Sequence, residues 1–325
     1  MRAVAIGPGG TLGIVDRPVP EPGADEVLVR VRAAGLNRAD LLQRAGRYPA
    51  PPDVPADVPG LELAGEVAAV GPEVVRWAPG DRVMAVVGGG GQAEYALVPE
   101  AHCVAVPDGL DPVAAGGVPE AFVTAHDALR TRGRLVDGER VLVHAVGSGV
   151  GTAALQLATA WGCPVVGTAR TATKLDRATG LGLDHAVLAP AELDPEALAA
   201  AVVAQGGPVD VTVDLVGGRY VQADVLAAAV KGRIVLVGAL AGARAELSVV
   251  TVMGKRLTVV GTVLRSRSAA EKAEATAAFA AEVLPLLADG TVAPVVEAVV
   301  PMVEVERAYE LLASDATFGK VILAT

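Results

Sequence analysis

"HAVGSGVGTAALQLATAWG", residues 144–162, follows directly on the apolar run "RVLV" (140–143). The order reads as a buried strand, a turn carrying Gly147, Gly149 and Gly151, and a helix of small residues. Such a turn offers backbone N–H groups at the positive end of a helix dipole. Its glycines remove the Cβ atoms that would obstruct a pyrophosphate. A ligand-free packing turn looks similar, and the spacing differs from the common G-x-G-x-x-G. The residues downstream decide the matter. "PVVGTA" (164–169), "HAVLA" (185–189), "PVDVTVDLVGG" (208–218), "GRIVLVGAL" (232–240) and "RLTVVGTVL" (256–264) are apolar strand candidates with helical stretches between them, including 194–204 and 219–230. Alternation of this kind predicts a parallel sheet with right-handed crossovers. In that setting Gly147, Ser148, Gly149, Val150 and Gly151 are the candidate phosphate loop.

The end of the second strand discriminates between dinucleotides. An NAD site usually places Asp or Glu there for the ribose 2′-OH, and an NADP site favours Arg. Here the strand ends "GTARTATK" (167–174), with Thr168, Arg170, Thr171 and Lys174 and no acid before Asp176. Arg binds a phosphate ester bidentately and Lys supplies a point charge. The alternative is that both cations decorate an exposed helix start, but cations there oppose the dipole. The reading is NADPH in preference to NADH.

Residues 1–121 have a different rhythm, of short strands broken by Gly and Pro. "EVLVRVRAAG" (26–35), "PGLELAGEVAAVG" (59–71) and "QAEYALV" (92–98) flank one helix candidate, "NRADLLQRAG" (37–46), with Asn37 as its N-cap. This pattern suits a partly open β-barrel. The tail, with helices at 269–288 and 303–313 around "PVVEAVVPM" and then "GKVILAT", is expected to return to that domain.

With 52% hydrophobic but only 3% aromatic residues, the core is built from Ala, Val and Leu, which suits helices on both faces of a sheet. A net charge of −10 without a basic block argues against nucleic acid or an anionic membrane as partner. No apolar run is long enough to span a bilayer. "MRAVAI" opens the chain as a strand without a charged-then-apolar leader, so the expected compartment is the cytoplasm. Cys103 and Cys163 lie in apolar surroundings and read as inert core thiols. Ser148 lacks the G-x-S-x-G elbow and an adjacent His–Asp pair, so it reads as a phosphate hydrogen-bond donor and not as a nucleophile.

Seven segments in order, "GLNRADLLQRAGRYPAPP", "PGLELAGEVAAVG", "GGGGQAEYALVPE", "VPEAFVTAHDAL", "DLVGG", "TVLRSR" and "FGKVIL", span essentially the whole chain. Together they resemble the zinc-independent quinone oxidoreductase (ζ-crystallin-like) branch of the medium-chain dehydrogenase/reductase family. Its tumour-suppressor-induced NADPH:quinone oxidoreductase subgroup shares "LRSR" and "SGVGTAA". The resemblance implies an α/β fold: a Rossmann doubly wound parallel sheet at 122–262, plus a GroES-like, mostly β catalytic domain formed by 1–121 and 263–325. It places the active site in the cleft between them and implies a homodimer joined through the edge strand "RLTVVGTV".

The resemblance also assigns residues. Asn37 and Tyr48 are the implied hydrogen-bond donors to substrate. Thr124, Val216, Gly238, Ala239, Leu264, Phe318 and Lys320 join the loop and the 168–174 segment as implied cofactor contacts. Two departures stand out: Val146 and Ser148 replace small loop residues, and a Tyr that relatives place after the third Rossmann strand to hold the adenosine phosphate is Ala189 here. Zinc-dependent relatives use a Cys near 37 and a His in "GHE", where this chain has Asn37 and Leu61, so no metal is expected. Glu62 then reads as a structural acid beside an Arg. Without a Lewis acid, the fitting substrate spreads incoming charge over its own π-system. The implied activity is NADPH-dependent reduction of quinones or related conjugated carbonyls. Alternatives are reduction of an enone or enoyl C=C bond, or a crystallin-like NADPH-binding protein with little turnover.

Overall fold

The computed structural model describes residues 1–52, 54–190 and 192–325. The chain forms two compact units, one of Met1–Val123 with Leu264–Thr325 and one of Thr124–Val263. Seven strands come first: β1 (Arg2–Ile6), β2 (Leu12–Asp16), β3 (Glu26–Gly35), β4 (Glu62–Val70), β5 (Arg82–Val86), β6 (Tyr95–Pro99) and β7 (Cys103–Ala105). The second unit contains β8 (Val141–Val143), β9 (Val165–Ala169), β10 (His185–Leu188), β11 (Val209–Asp214), β12 (Ala228–Leu236) and β13 (Thr258–Gly261). The first unit resumes with β14 (Val296–Pro301) and β15 (Lys320–Ala324).

In the first unit the strands run in the order β14-β15-β3-β4-β5-β7, with β6 also paired to β3 and β1–β2 forming a separate hairpin. Alternate residues of β3 point inward: Val27, Val29 and Val31 pack with Leu63, Val83 and Val98 in one core cluster. This is the period-2 pattern of a strand with one face on the core. The register of the last strand matters most for function. Antiparallel pairing sets Ile322 opposite Gly35, and the Leu36 N–H donates to the Val321 carbonyl at 2.9 Å. Lys320 is thereby brought opposite Asn37, just beyond the end of β3.

Among the described residues, the six strands of the second unit are parallel, in the order β10-β9-β8-β11-β12-β13. Numbered from β8, this is the doubly wound 3-2-1-4-5-6 order, with its switch point at β8. Leu142, Val166, Val187 and Val209 are contributed by four of these strands to one core cluster, as buried parallel strands require. The helix Gly149–Ala160 starts immediately after the β8 turn. Gly151 is there for close packing: a Cβ on it would lie 2.4 Å from the Ala145 carbonyl oxygen. Gly217 and Gly218, after β11, adopt φ of +68° and +57°, where glycine carries no Cβ penalty.

The helices depart from the sequence reading at several places. The helix expected over 219–230 ends at Ala227, and β12 begins at Ala228. The helix expected over 269–288 is two, Ala269–Glu282 and Leu284–Ala288, because Pro285 has no N–H to give and fits only a first turn. An unforeseen helix occupies Val249–Lys255, capped by the Ser248 hydroxyl accepting from the Thr251 N–H at 3.2 Å.

Candidate functional site

In the first unit, a buried polar cluster forms where β3, β4, β15 and the helix Pro119–His126 meet. Gly35 makes room for it, since a Cβ there would lie 2.3 Å from Glu62 Oε1. Glu62 is fully buried. Its Oε1 accepts from Asn37 Nδ2 at 2.9 Å and faces the Lys320 ammonium at 2.5 Å, and its Oε2 accepts the Glu120 N–H at 2.9 Å. The acid is paired with a lysine, not the arginine the sequence suggested. The reason is the β15 register, invisible before the strands are paired.

Asn37 precedes the helix Arg38–Arg44 at the N-cap position, where the Asp40 carboxylate reaches back to accept its N–H at 2.7 Å. The Asn37 side chain is turned to the cluster: its Oδ1 accepts from Lys320 Nζ at 2.7 Å. Lys320 also donates to the Leu36 carbonyl at 2.7 Å, so all three ammonium hydrogens have protein acceptors. This differs from the cofactor contact implied for Lys320. Asp40, fully buried, accepts the Gly60 N–H with its other oxygen at 3.2 Å.

Tyr48 is half-buried and lies under the Arg265 guanidinium, 4.9 Å from its ring centroid. Arg265 is itself 4% exposed and donates to the Gly88 carbonyl at 2.8 Å, the Tyr48 carbonyl at 3.1 Å and Gln43 Oε1 at 2.7 Å. The Tyr48 hydroxyl has no hydrogen-bond partner among the described residues. Burial, then the nearby Glu120 charge, pushes this phenol above its ordinary range, with Arg265 opposing. Burial pushes Glu120 up to about 8, with the Glu62 charge adding to it and Lys320 and Arg265 resisting. Asp40 rises to about 6, chiefly through burial. At neutral pH Glu120 therefore keeps its proton. Asp40 and Glu62 are then balanced by Lys320 and Arg265.

Sequence reasoning found Asn37 and Tyr48 but missed Glu120, Asp40 and Arg265 as members of this cluster. Arg265 and Glu120 lie inside two of the family-like segments, "TVLRSR" and "VPEAFVTAHDAL". Nothing local marks Arg265 as buried or Glu120 as a neighbour of Glu62. At the positions of the missing metal ligands stand Asn37, bonded to Glu62, and Leu61, buried at 1% exposure. Leu264 and Phe318 are buried in this first unit at 7% and 2% exposure. Cys103 is fully buried, and burial pushes its thiol up to about 12, the state of an inert thiol.

In the second unit, Ser148 is the N-cap of the helix Gly149–Ala160: its Oγ accepts the Gly151 N–H at 3.1 Å and keeps its own proton to donate. The first-turn amides beyond it have no acceptor within the helix. Gly147 completes the turn, and the loop fits a pyrophosphate by its free donors and its lack of bulk. Arg170 is exposed at the end of β9, Thr171 is the N-cap residue of the helix Ala172–Thr179, and Lys174 lies on its first turn. Thr168 is different: it is 1% exposed and its hydroxyl is bonded to His144 Nδ1 at 2.8 Å, not turned outward. His144 Nε2 in turn meets Asp224 Oδ1 at 2.7 Å, so a wholly buried network underlies the glycine loop. The Val216 N–H donates to Asp214 Oδ1 at 2.7 Å. Gly238 packs on Leu215, whose carbonyl oxygen would lie 2.3 Å from a Cβ there. Ala239 is exposed, and Thr124 is buried in its helix.

Residues 23–108 match the alcohol dehydrogenase GroES-like domain and 149–282 the zinc-binding dehydrogenase domain. A quinone oxidoreductase of Lama guanicoe is 31% identical over 99% of this chain and 97% of its own length. A pikromycin polyketide synthase component, PikAII of Streptomyces venezuelae, is 39% identical over 70% of this chain, which spans only 6% of that protein. Among solved structures, the quinone oxidoreductase of Thermus thermophilus, also solved with NADPH, aligns over 100% of both chains at a TM-score of 0.82 and 34% identity. A mycobacterial protein complexed with NADPH aligns over 100% of both at 0.88 and 28%.

Proposed function

Since the chain belongs to the medium-chain dehydrogenase/reductase family, we propose that it is an NADPH-dependent oxidoreductase acting on quinones or related conjugated carbonyls. NADPH supplies the hydride when bound. The glycine loop holds its pyrophosphate through the first-turn amides and the Ser148 hydroxyl, and Arg170 with Lys174 holds the 2′-phosphate. The protein's task at the substrate is then to supply a proton or a hydrogen bond to the oxygen that gains charge.

One observation carries this reading: the half-buried Tyr48 hydroxyl has no hydrogen-bond partner among the described residues, and burial keeps both its proton and that of Glu120, an acid within electrostatic range, in place near neutral pH. Tyr48 donates to the developing oxyanion and recovers its proton from solvent, with the protonated Glu120 carboxyl as a further acid in its electrostatic surroundings. Asn37 is held in place by Glu62 and Lys320 at both ends of its amide. No ligand set for a catalytic metal is formed by Asn37 and Leu61, so polarisation of the carbonyl rests on these donors. The NADPH-bound relatives and the full-length quinone oxidoreductase match support the cofactor and the substrate class.

The test follows nicotinamide absorbance with ortho- and para-quinones set against enals and a crotonyl thioester. Quinones should turn over with NADPH, and Tyr48→Phe should lower kcat by about a hundredfold, the usual cost of one oxyanion donor. Turnover confined to the C=C substrates, or an unaffected Tyr48→Phe enzyme, refutes the assignment. Arg170→Ala should reduce the NADPH-over-NADH ratio of kcat/KM, and an unchanged ratio removes Arg170 from the site.

A further inference from the structure

The 2′-phosphate site just described receives nothing from the strand next to β9, for the residue after β10 is Ala189, buried at 1% exposure. A methyl group inside the core cannot bind a phosphate. The second unit, however, has a cavity of about 430 Å³ lined by Glu192, Leu193, Arg219, Tyr220 and Ala241. Its volume lies in the range of sites for small organic ligands. Arg219 and Tyr220 open the nine-residue helix Arg219–Ala227, which follows the Gly217–Gly218 turn after β11.

Both side chains are poised for an anion. Tyr220 is only 8% exposed, yet its hydroxyl has no hydrogen-bond partner among the described residues. Its ring packs edge-on against His144, with centroids 4.8 Å apart. The Arg170 guanidinium is close enough to oppose the rise that burial imposes on this phenol. Arg219 is exposed at the cavity and forms no ion pair or hydrogen bond among the described residues, even though Glu192 lines the same space. With its ring buried and its residue lining the cavity, the Tyr220 hydroxyl is placed to donate to a bound acceptor. A hydroxyl donor beside a guanidinium unpaired among the described residues suits an acceptor with several oxygens.

We propose that Arg219 and Tyr220, together with Arg170, bind the adenosine 2′-phosphate of the cofactor and supply from β11 the contact that Ala189 cannot make. This rests on the NADPH reading above. Glu192 is the one acid among the lining residues, and it weakens the site for a phosphate while suiting a ribose hydroxyl.

Isothermal titration of the full-length protein with NADPH, NADH, adenosine 2′,5′-bisphosphate and ADP tests this without turnover. Arg219→Ala and Tyr220→Phe should each weaken NADPH and the 2′,5′-bisphosphate roughly tenfold, the loss of one charge-assisted or buried hydrogen bond, and leave NADH and ADP unchanged. Glu192→Gln should tighten the 2′-phosphorylated pair alone. Equal losses for phosphorylated and unphosphorylated ligands in both variants, or no loss in either, overturn the proposal while leaving NADPH as cofactor. Failure of the wild type to bind NADPH more tightly than NADH overturns both. Tyr220→Phe keeps the ring on His144, so its result does not depend on refolding of the core.

Discussion

Asn37 and Lys320, separated by 283 residues, are joined at 2.7 Å through the Asn37 side-chain oxygen, and both are bonded to the buried Glu62. A carboxylate with no exposed surface is tolerable only when its charge is matched and its lone pairs are occupied. Removing one partner is therefore far worse than removing the pair. Lys320→Met should cost about 3–5 kcal/mol in urea unfolding. Adding Glu62→Gln to it should recover more than half of the loss. Additive effects of the two changes would show that the pair is not coupled.

Glu120 imposes a pH dependence of definite sign. Its carboxyl titrates at about 8 in the folded protein against 4.5 in the unfolded chain, so between those values the native state holds a proton the unfolded state has released. Stability attributable to this group is thus greatest below about 4.5, declines as pH rises, and levels off above 8. Asp40 acts in the same direction but levels off near 6. Comparing urea midpoints at two pH values on either side of neutrality, from above the Asp40 plateau to above the Glu120 one, isolates Glu120. The wild type should lose more stability across that interval than Glu120→Gln; parallel declines would sink the assignment.

Ser148 separates a structural from a chemical role. As N-cap it accepts the Gly151 N–H, so Ser148→Ala should cost about 1 kcal/mol and Ser148→Gly only a few tenths. Ser148→Gly should also preserve turnover at saturating NADPH. A large fall in kcat with unchanged NADPH affinity would make Ser148 a participant in the chemistry.

The rim of the parallel sheet predicts assembly. β13 is an edge strand. Next to it in sequence, Val249, Val250 and Met253 are 66%, 80% and 70% exposed on one short helix, with Val263 at 50%. An apolar edge of this kind invites pairing with another chain. Light scattering at micromolar concentration should give the mass of two chains, and Val250→Glu should shift it toward one. A wild-type mass of one chain ends the idea.

Some of this is readable from sequence because it is local. A strand, a glycine turn and a helix of small residues are adjacent in "RVLVHAVGSGVGTAALQLA", and period and composition suffice to find them. The helix Val249–Lys255 is not readable, since "VVTVMGK" is rich in β-branched residues that favour strands. Long-range anchoring prevails there: Lys255 donates to the carbonyls of Val225, Leu226 and Ala228 at 3.1, 2.7 and 2.8 Å, capping the preceding helix. The buried partner of Thr168, named among the cofactor-binding candidates, is unreadable for a similar reason, as its hydroxyl is bonded to His144 across the sheet.

The amino-acid sequence alone determined the alternating parallel architecture, the glycine turn before a small-residue helix, the cationic end of β9 and the identity of Asn37 and Leu61 at the two compared positions. Each depends on residues close together in the chain. Only the tertiary structure decided which acids are buried together, that Lys320 and not an arginine neutralises Glu62, and that Tyr220 lines an open cavity with no partner among the described residues. Those facts are set by strand register and by desolvation. Both arise when segments far apart in the chain are brought into contact, and no short stretch of sequence encodes them.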